Sequence, residues 1–133
     1  MEKEREEQVI SLCQKLIQQK SYSGEESGVV GVLSENMKQM GFDEVTVDKY
    51  GNIIGCIKGN RPGKKVLFDG HIDTVPVTEE AEWLYPPFAA EIHDGKIYGR
   101  GTSDMKGAVA AMTCAASNYA KDTGKDFAGE IYV

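Results

Sequence analysis

Two short stretches hold the side chains best suited to chemistry. The first is Gly70-His71-Ile72-Asp73-Thr74. His71 and Asp73 are two positions apart, so in extended chain they leave the backbone on the same face. A carboxylate there can take one ring N–H and aim the other nitrogen, as behind a metal-bound or general-base histidine. A hydrogen-bonded histidine at a strand end fits the pair equally well. The second stretch is Gly99 to Gly107, with Asp104 inside it. Glycines at 99 and 101 allow a tight backbone path. Asp104 is placed near the start of a helix, where the dipole favours an ionised carboxylate able to ligate or bridge cations. A plain helix cap at Thr102, Ser103 or Asp104 is the alternative. A nucleotide site is rejected: the third glycine of a dinucleotide fingerprint would fall on Asp104, and no GxxxxGK[ST] occurs.

The elements that must position these residues follow from periodicity. Val9, Leu12, Cys13, Leu16 and Ile17 form one apolar stripe on a helix of about residues 4–19. Ser23-Gly24-Glu25-Glu26 reads as a capping box opening a second helix, with Gly41 at its C-cap. Strands are expected at 44–50 and 53–58, antiparallel, followed by a loop at 59–63 and a buried strand at 65–69. Residues 73–90 read as a long loop, and Asp94-Gly95 as a hairpin turn. A third helix carries Met105, Ala108, Val109, Met112, Ala116 and Tyr119 on one face until Gly124 breaks it. Another strand begins at Gly129. Helices alternating with strands make this an α/β chain with a crossover through the third helix.

Composition narrows the classes of function. The chain has 133 residues, 21 acidic and 15 basic side chains and a net charge of −6. That length suits one domain, and the charge disfavours a nucleic-acid partner. No apolar run reaches the roughly 20 residues of a membrane span, and the charged start does not read as a signal peptide. The three cysteines, Cys13, Cys56 and Cys114, form no CxxC pair, so a reducing, cytoplasmic setting and core packing are expected. His93 falls on the hairpin and is not read as a ligand. Trp83, Tyr85, Pro86, Pro87 and Phe88 are read as packing the long loop, with the lining of a substrate entrance as the alternative, and Lys106 as pointing to solvent. Arg100 and Lys106 flank Asp104 and are positioned to neutralise it.

Gly70-His71-Ile72-Asp73-Thr74-Val75-Pro76, then Trp83 and Pro87-Phe88, then Asp94 through Ala108 together resemble the M20 metallopeptidase and deacylase family. Gly41-Phe42-Asp43-Glu44-Val45 and Gly51-Asn52-Ile53 are similar to its branch of selenium-metabolism hydrolases. The resemblance spans essentially the whole chain. It implies a three-layer zinc-exopeptidase-like catalytic domain, a mixed sheet flanked by helices, of which residues 1–133 are the N-terminal portion. It further implies that His71 binds one metal, Asp73 orients His71, and Asp104 bridges two divalent ions, usually zinc, sometimes cobalt or manganese. The implied substrate is a small peptide or N-acyl amino acid, cleaved at an amide bond by metal-activated water. The family's Glu-Glu pair, a further carboxylate, a C-terminal histidine and a lid domain that mediates dimerisation have no counterpart before Val133. The chain alone is therefore expected to bind metal weakly and to be inactive. A non-catalytic domain that keeps the fold is the alternative, but it would be free to lose His71, Asp73 and Asp104.

Overall fold

The computed structural model describes residues 2–133. Helix α1 spans Lys3–Gln18 and buries Leu12, Cys13, Leu16 and Ile17, the stripe set by its sequence period. Burying each large apolar side chain contributes about 1.5–3 kcal/mol. Helix α2 spans Ser27–Gln39 and turns Val29, Val30, Leu33 and Met37 inward. It ends at Gly41, whose φ of +87° is open to glycine at little cost. Its start differs from the sequence reading. Glu26, in αR conformation, is the N-cap and no side chain caps the helix. The Ser23 hydroxyl is engaged elsewhere, and the Glu26 carboxylate accepts from Gly24 N at 2.7 Å.

A four-stranded sheet has the order β1-β2-β6-β3, with β1 Glu44–Val47, β2 Ile53–Lys58, β3 Arg61–Leu67 and β6 Ala128–Tyr132. The first two pairings are antiparallel, and β3 runs parallel to β6. Helix α3, Gly107–Thr123, connects these parallel neighbours and stops at left-handed Gly124. The sheet is thus mixed and carries helices, the α/β class expected. Cross-strand register puts Ile57, Ile131 and Val66 on one face. There Ile57 and Ile131 join the core built by α1, α2 and α3. Lys58, Glu130 and Lys65 share the other face, where Lys65 and Glu130 pair at 3.2 Å.

Two expectations around β3 are corrected. Residues 61–63 belong to the strand instead of a loop, because a register irregularity between Arg61 and Lys65 absorbs Pro62 and Gly63. The strand is also exposed along its whole length, since among the described residues β6 is its only strand neighbour and an open cavity separates Val66 from Met112 and Ala116 of α3. The hairpin forms as the Asp94-Gly95 signal requires, between β4 Glu91–His93 and β5 Lys96–Tyr98, both turn residues having positive φ. Cys13, Cys56 and Cys114 are buried and unpaired. Among the described residues no helix is long and apolar enough to cross a membrane.

Candidate metal centre

The chain leaves β3 at Leu67 and runs irregularly to Asp73. This loop is stitched to the segment that follows α1. Ser21 Oγ donates to Ile72 O at 2.7 Å, and Thr74 N donates to Ser21 O at 2.8 Å. Two such bonds fix where His71 and Asp73 stand. The His71 Nδ1 edge then lies 3.1 Å from Asp73 Oδ1 and 3.0 Å from the Asp73 carbonyl. Ser23 donates its hydroxyl to the second oxygen of Asp73. That bond is the largest influence on Asp73, and with His71 it holds the carboxyl below its ordinary range against partial burial.

Asp104 reaches the same imidazole from the other side. Its Oδ1 lies 2.8 Å from His71 Nε2. With carboxylate oxygens at both ring nitrogens, the His71 pKa is raised. The Asp104 hydrogen bond is the main cause, followed by the Asp73 carbonyl. The backbone that delivers Asp104 is unusual. Gly101 has φ +84°, Lys106 N donates to Gly101 O at 2.8 Å, and the wide π-type turn between them holds Asp104 and Met105 in non-helical conformation. The Asp104–Met105 peptide is cis. Regular helix begins only at Gly107, so Asp104 is neither a cap nor within the first turn of α3. This corrects the dipole argument. The turn aims the carboxylate at His71.

Lys106 also departs from its expected place. It is fully buried and donates Nζ to Gln19 O at 2.7 Å, satisfying a carbonyl left open at the end of α1. Burial lowers its pKa to about 8. Arg100 does not pair with Asp104 either. Its guanidinium carbon lies 5.0 Å from the centre of the Trp83 ring. Trp83 therefore lines the cavity as well as packing the long loop, whereas Pro87 is fully buried. His93 pairs with Glu91 at 2.7 Å and stacks on Tyr85, away from the centre.

His71, Asp73, Asp104, Trp83, Tyr98 and Arg100 line one cavity of about 440 Å³. Imidazole nitrogen and carboxylate oxygen are donor types that zinc, cobalt and manganese accept. A carboxylate behind Nδ1 is the usual orienting partner of a metal-bound histidine. The donor set therefore fits a divalent ion in kind. In number it is two, and among the described residues no group of three or more His, Cys, Asp or Glu side chains is arranged around an ion. Ser23, Arg100 and buried Lys106 were not singled out for these roles by the sequence. Their partners are long-range, and no local pattern marks them.

Fold and centre define an α/β protein with a histidine–carboxylate site beyond the end of a sheet strand. A family model described as peptidase family M20/M25/M40 matches residues 67–133, and the chain belongs to that family. It is 37% identical over 115 residues to the succinyl-diaminopimelate desuccinylase of Vesicomyosocius okutanii subsp. Calyptogena okutanii (strain HA), covering 85% of this chain and 30% of that protein. The chain thus spans about a third of the length of this curated relative. Among solved structures, an M20 family metallo-carboxypeptidase from Sulfolobus solfataricus superposes with TM-score 0.77 at 23% identity, covering 93% of this chain and 29% of the other. Human carnosine dipeptidase 1 superposes with TM-score 0.75 at 22% identity, covering 96% and 31%. These likenesses establish the fold.

Proposed function

We propose that this chain supplies part of a two-metal centre in a hydrolase that cleaves an amide bond of a small peptide or N-acyl amino acid. One observation carries the reading: His71 Nε2 and Asp104 Oδ1, delivered by different loops, meet at 2.8 Å while Asp73 holds the opposite ring edge. In this reading His71 and Asp104 would hold the ions, with Asp104 shared between them, and Asp73 would fix the ring's tautomer and direction. Bound zinc, or alternatively cobalt or manganese, supplies a water of lowered pKa and polarises the scissile carbonyl. A cation held there would need His71 Nε2 free of its proton, so binding would compete with protonation of the imidazole. Asp73 and Asp104 are the only carboxylates lining the cavity among the described residues, and both face His71. The proton-accepting base is therefore assigned to the part of the relatives' length that this chain does not span, and the chain alone is proposed to be inactive. The likeness to a desuccinylase supports an amide substrate. Three buried, unpaired cysteines support a reducing, cytoplasmic setting.

Calorimetric titration of zinc into the chain and its His71→Ala and Asp104→Asn variants tests the reading. Weak binding to the parent chain, abolished in both variants, is expected. Equal zinc affinity in all three proteins would remove these residues from the metal site.

A further inference from the structure

We propose that Arg100 is a specificity-determining residue that receives a carboxylate of the substrate, an assignment that rests on the hydrolase reading above. Arg5 and Arg61 each have carboxylate partners, Asp122 and Asp126. The Arg100 side chain has no hydrogen bond or ion pair among the described residues. Its Nε is buried without a partner. Thr74 Oγ1 is the other buried side-chain polar atom left unpaired among the described residues, and Thr74 lines the same cavity. Buried polar groups in folded proteins normally find partners, so two orphans around one cavity point to a ligand that completes them.

The position is held rigidly. Arg100 N donates to Pro87 O at 2.7 Å, and the guanidinium lies over the Trp83 ring. The cation–π contact keeps the guanidinium beside Trp83, and its planar fork of N–H donors suits a bidentate carboxylate. Among the described residues Arg100 is the one lysine or arginine in the cavity lining, and Asp104 and His71 share it. A cavity of about 440 Å³ lies within the roughly 300–1,000 Å³ of small-molecule sites. One small molecule can therefore place its amide at His71 and Asp104 and a carboxylate at Arg100. That carboxylate can belong to the acyl half or to the amino-acid half of the substrate.

The test is side-chain NMR of the zinc-free, full 133-residue chain, following the Arg100 Nε–H and Trp83 indole signals. Succinate probes the acyl half, N-acetylglycine the amino-acid half, and succinamide is the uncharged control. Saturable shifts of both signals with at least one carboxylate and none with succinamide are expected, and the more effective probe identifies the half. Arg100→Gln should abolish the response. Arg100→Lys, which keeps the charge and guards against misfolding of the first variant, should weaken it about tenfold, the scale of one lost charge-assisted hydrogen bond. Equal response to succinamide, no response to either carboxylate, or unchanged affinity in Arg100→Lys would overturn the assignment. Zinc titration judges the hydrolase reading separately. Lost zinc binding with intact carboxylate capture would sink that reading alone, and the converse would sink Arg100 alone.

Discussion

Ser23 donates its hydroxyl to Asp73, a residue fifty positions later, and so ties the segment after α1 to the carboxylate that contacts His71. Ser23→Ala should release that carboxylate. Because Ser23 is the main cause of the depressed Asp73 pKa, the Asp73 midpoint should move up toward 3.8. A carboxyl depressed in the folded state stabilises above its unfolded pKa and loses that contribution as pH falls through the folded value. The variant should therefore lose part of its acid-range stability difference. Carboxyl carbon NMR across an acid titration reads the shift directly, and an unmoved Asp73 midpoint would contradict the link.

The contact between His71 and Asp104 carries a second pH effect. The His71 pKa is raised above 6.5, with the Asp104 bond as the chief cause. A raised histidine contributes its stability below the unfolded pKa and loses it as pH rises through the folded one. Asp104→Asn should lower the His71 midpoint, visible in its ring proton shifts. For the same reason zinc should bind the parent chain more tightly as pH rises above the histidine range. Affinity that is flat between pH 6 and about 8 would argue that the ion binds elsewhere.

Lys106 gives a prediction of opposite sign. Its folded pKa of about 8 lies below the 10.5 of an exposed lysine. Between those values the unfolded chain binds more protons, so the Lys106 contribution to stability rises with pH. Below pH 8 the burial penalty is at its full size, up to about 3 kcal/mol. Lys106→Met removes both the charge and the bond to Gln19 O. The parent chain should gain stability relative to this variant from pH 8 to 10.5. Taking the difference cancels the tyrosines and the other cysteines that titrate in the same range, whereas Cys13, whose thiol Lys106 favours in its ionised form, responds to the substitution as well. Urea denaturation at several pH values measures it, and a constant difference would show that the ammonium is better solvated than its burial implies.

What the sequence revealed divides by distance along the chain. The stripe of Leu12, Leu16 and Ile17, the glycine caps and the Asp94-Gly95 hairpin are local signals, and all appear in the structure. His71 and Asp73 were legible as a pair because alternation alone puts them on one face. Asp104 was legible only through the glycine loop around it, and its role as an imidazole partner needed the fold. Lys106 was misread because helical position says nothing of a carbonyl waiting at the end of α1. Ser23 was misread because a capping pattern and a carboxylate partner demand the same hydroxyl. The β3 error has a different cause. An apolar run marks what a strand can bury, and its neighbours decide whether it does.

Gly129 ties β6 to β3 by a very close approach. Its φ is +93°, and a Cβ there would stand 1.9 Å from Lys64 O. The substitution Gly129→Ala must therefore displace the backbone of the parallel pair as well as adopt a strained conformation. A loss of about 3 kcal/mol or more is expected in urea denaturation. A loss below about 1 kcal/mol would mean that the two strands separate at little cost.

The outer edge of β3 leads to the last prediction. β6 occupies one side of this strand and nothing among the described residues pairs with the other. Leu67 is 66% exposed, and Val66 and Phe68 are about half exposed beside it. Free backbone donors and acceptors next to such side chains favour pairing between copies of a chain. Lys64, with Lys65 only partly offset by Glu130, opposes it through like-charge repulsion, so the association should be weak and should strengthen with salt. Leu67→Lys adds a further positive charge and removes the most exposed apolar side chain from the edge. Light scattering of the parent chain should show a mass that rises with concentration and salt, while the variant stays monomeric. A parent chain of constant monomer mass would show that the two lysines already suffice to protect the edge.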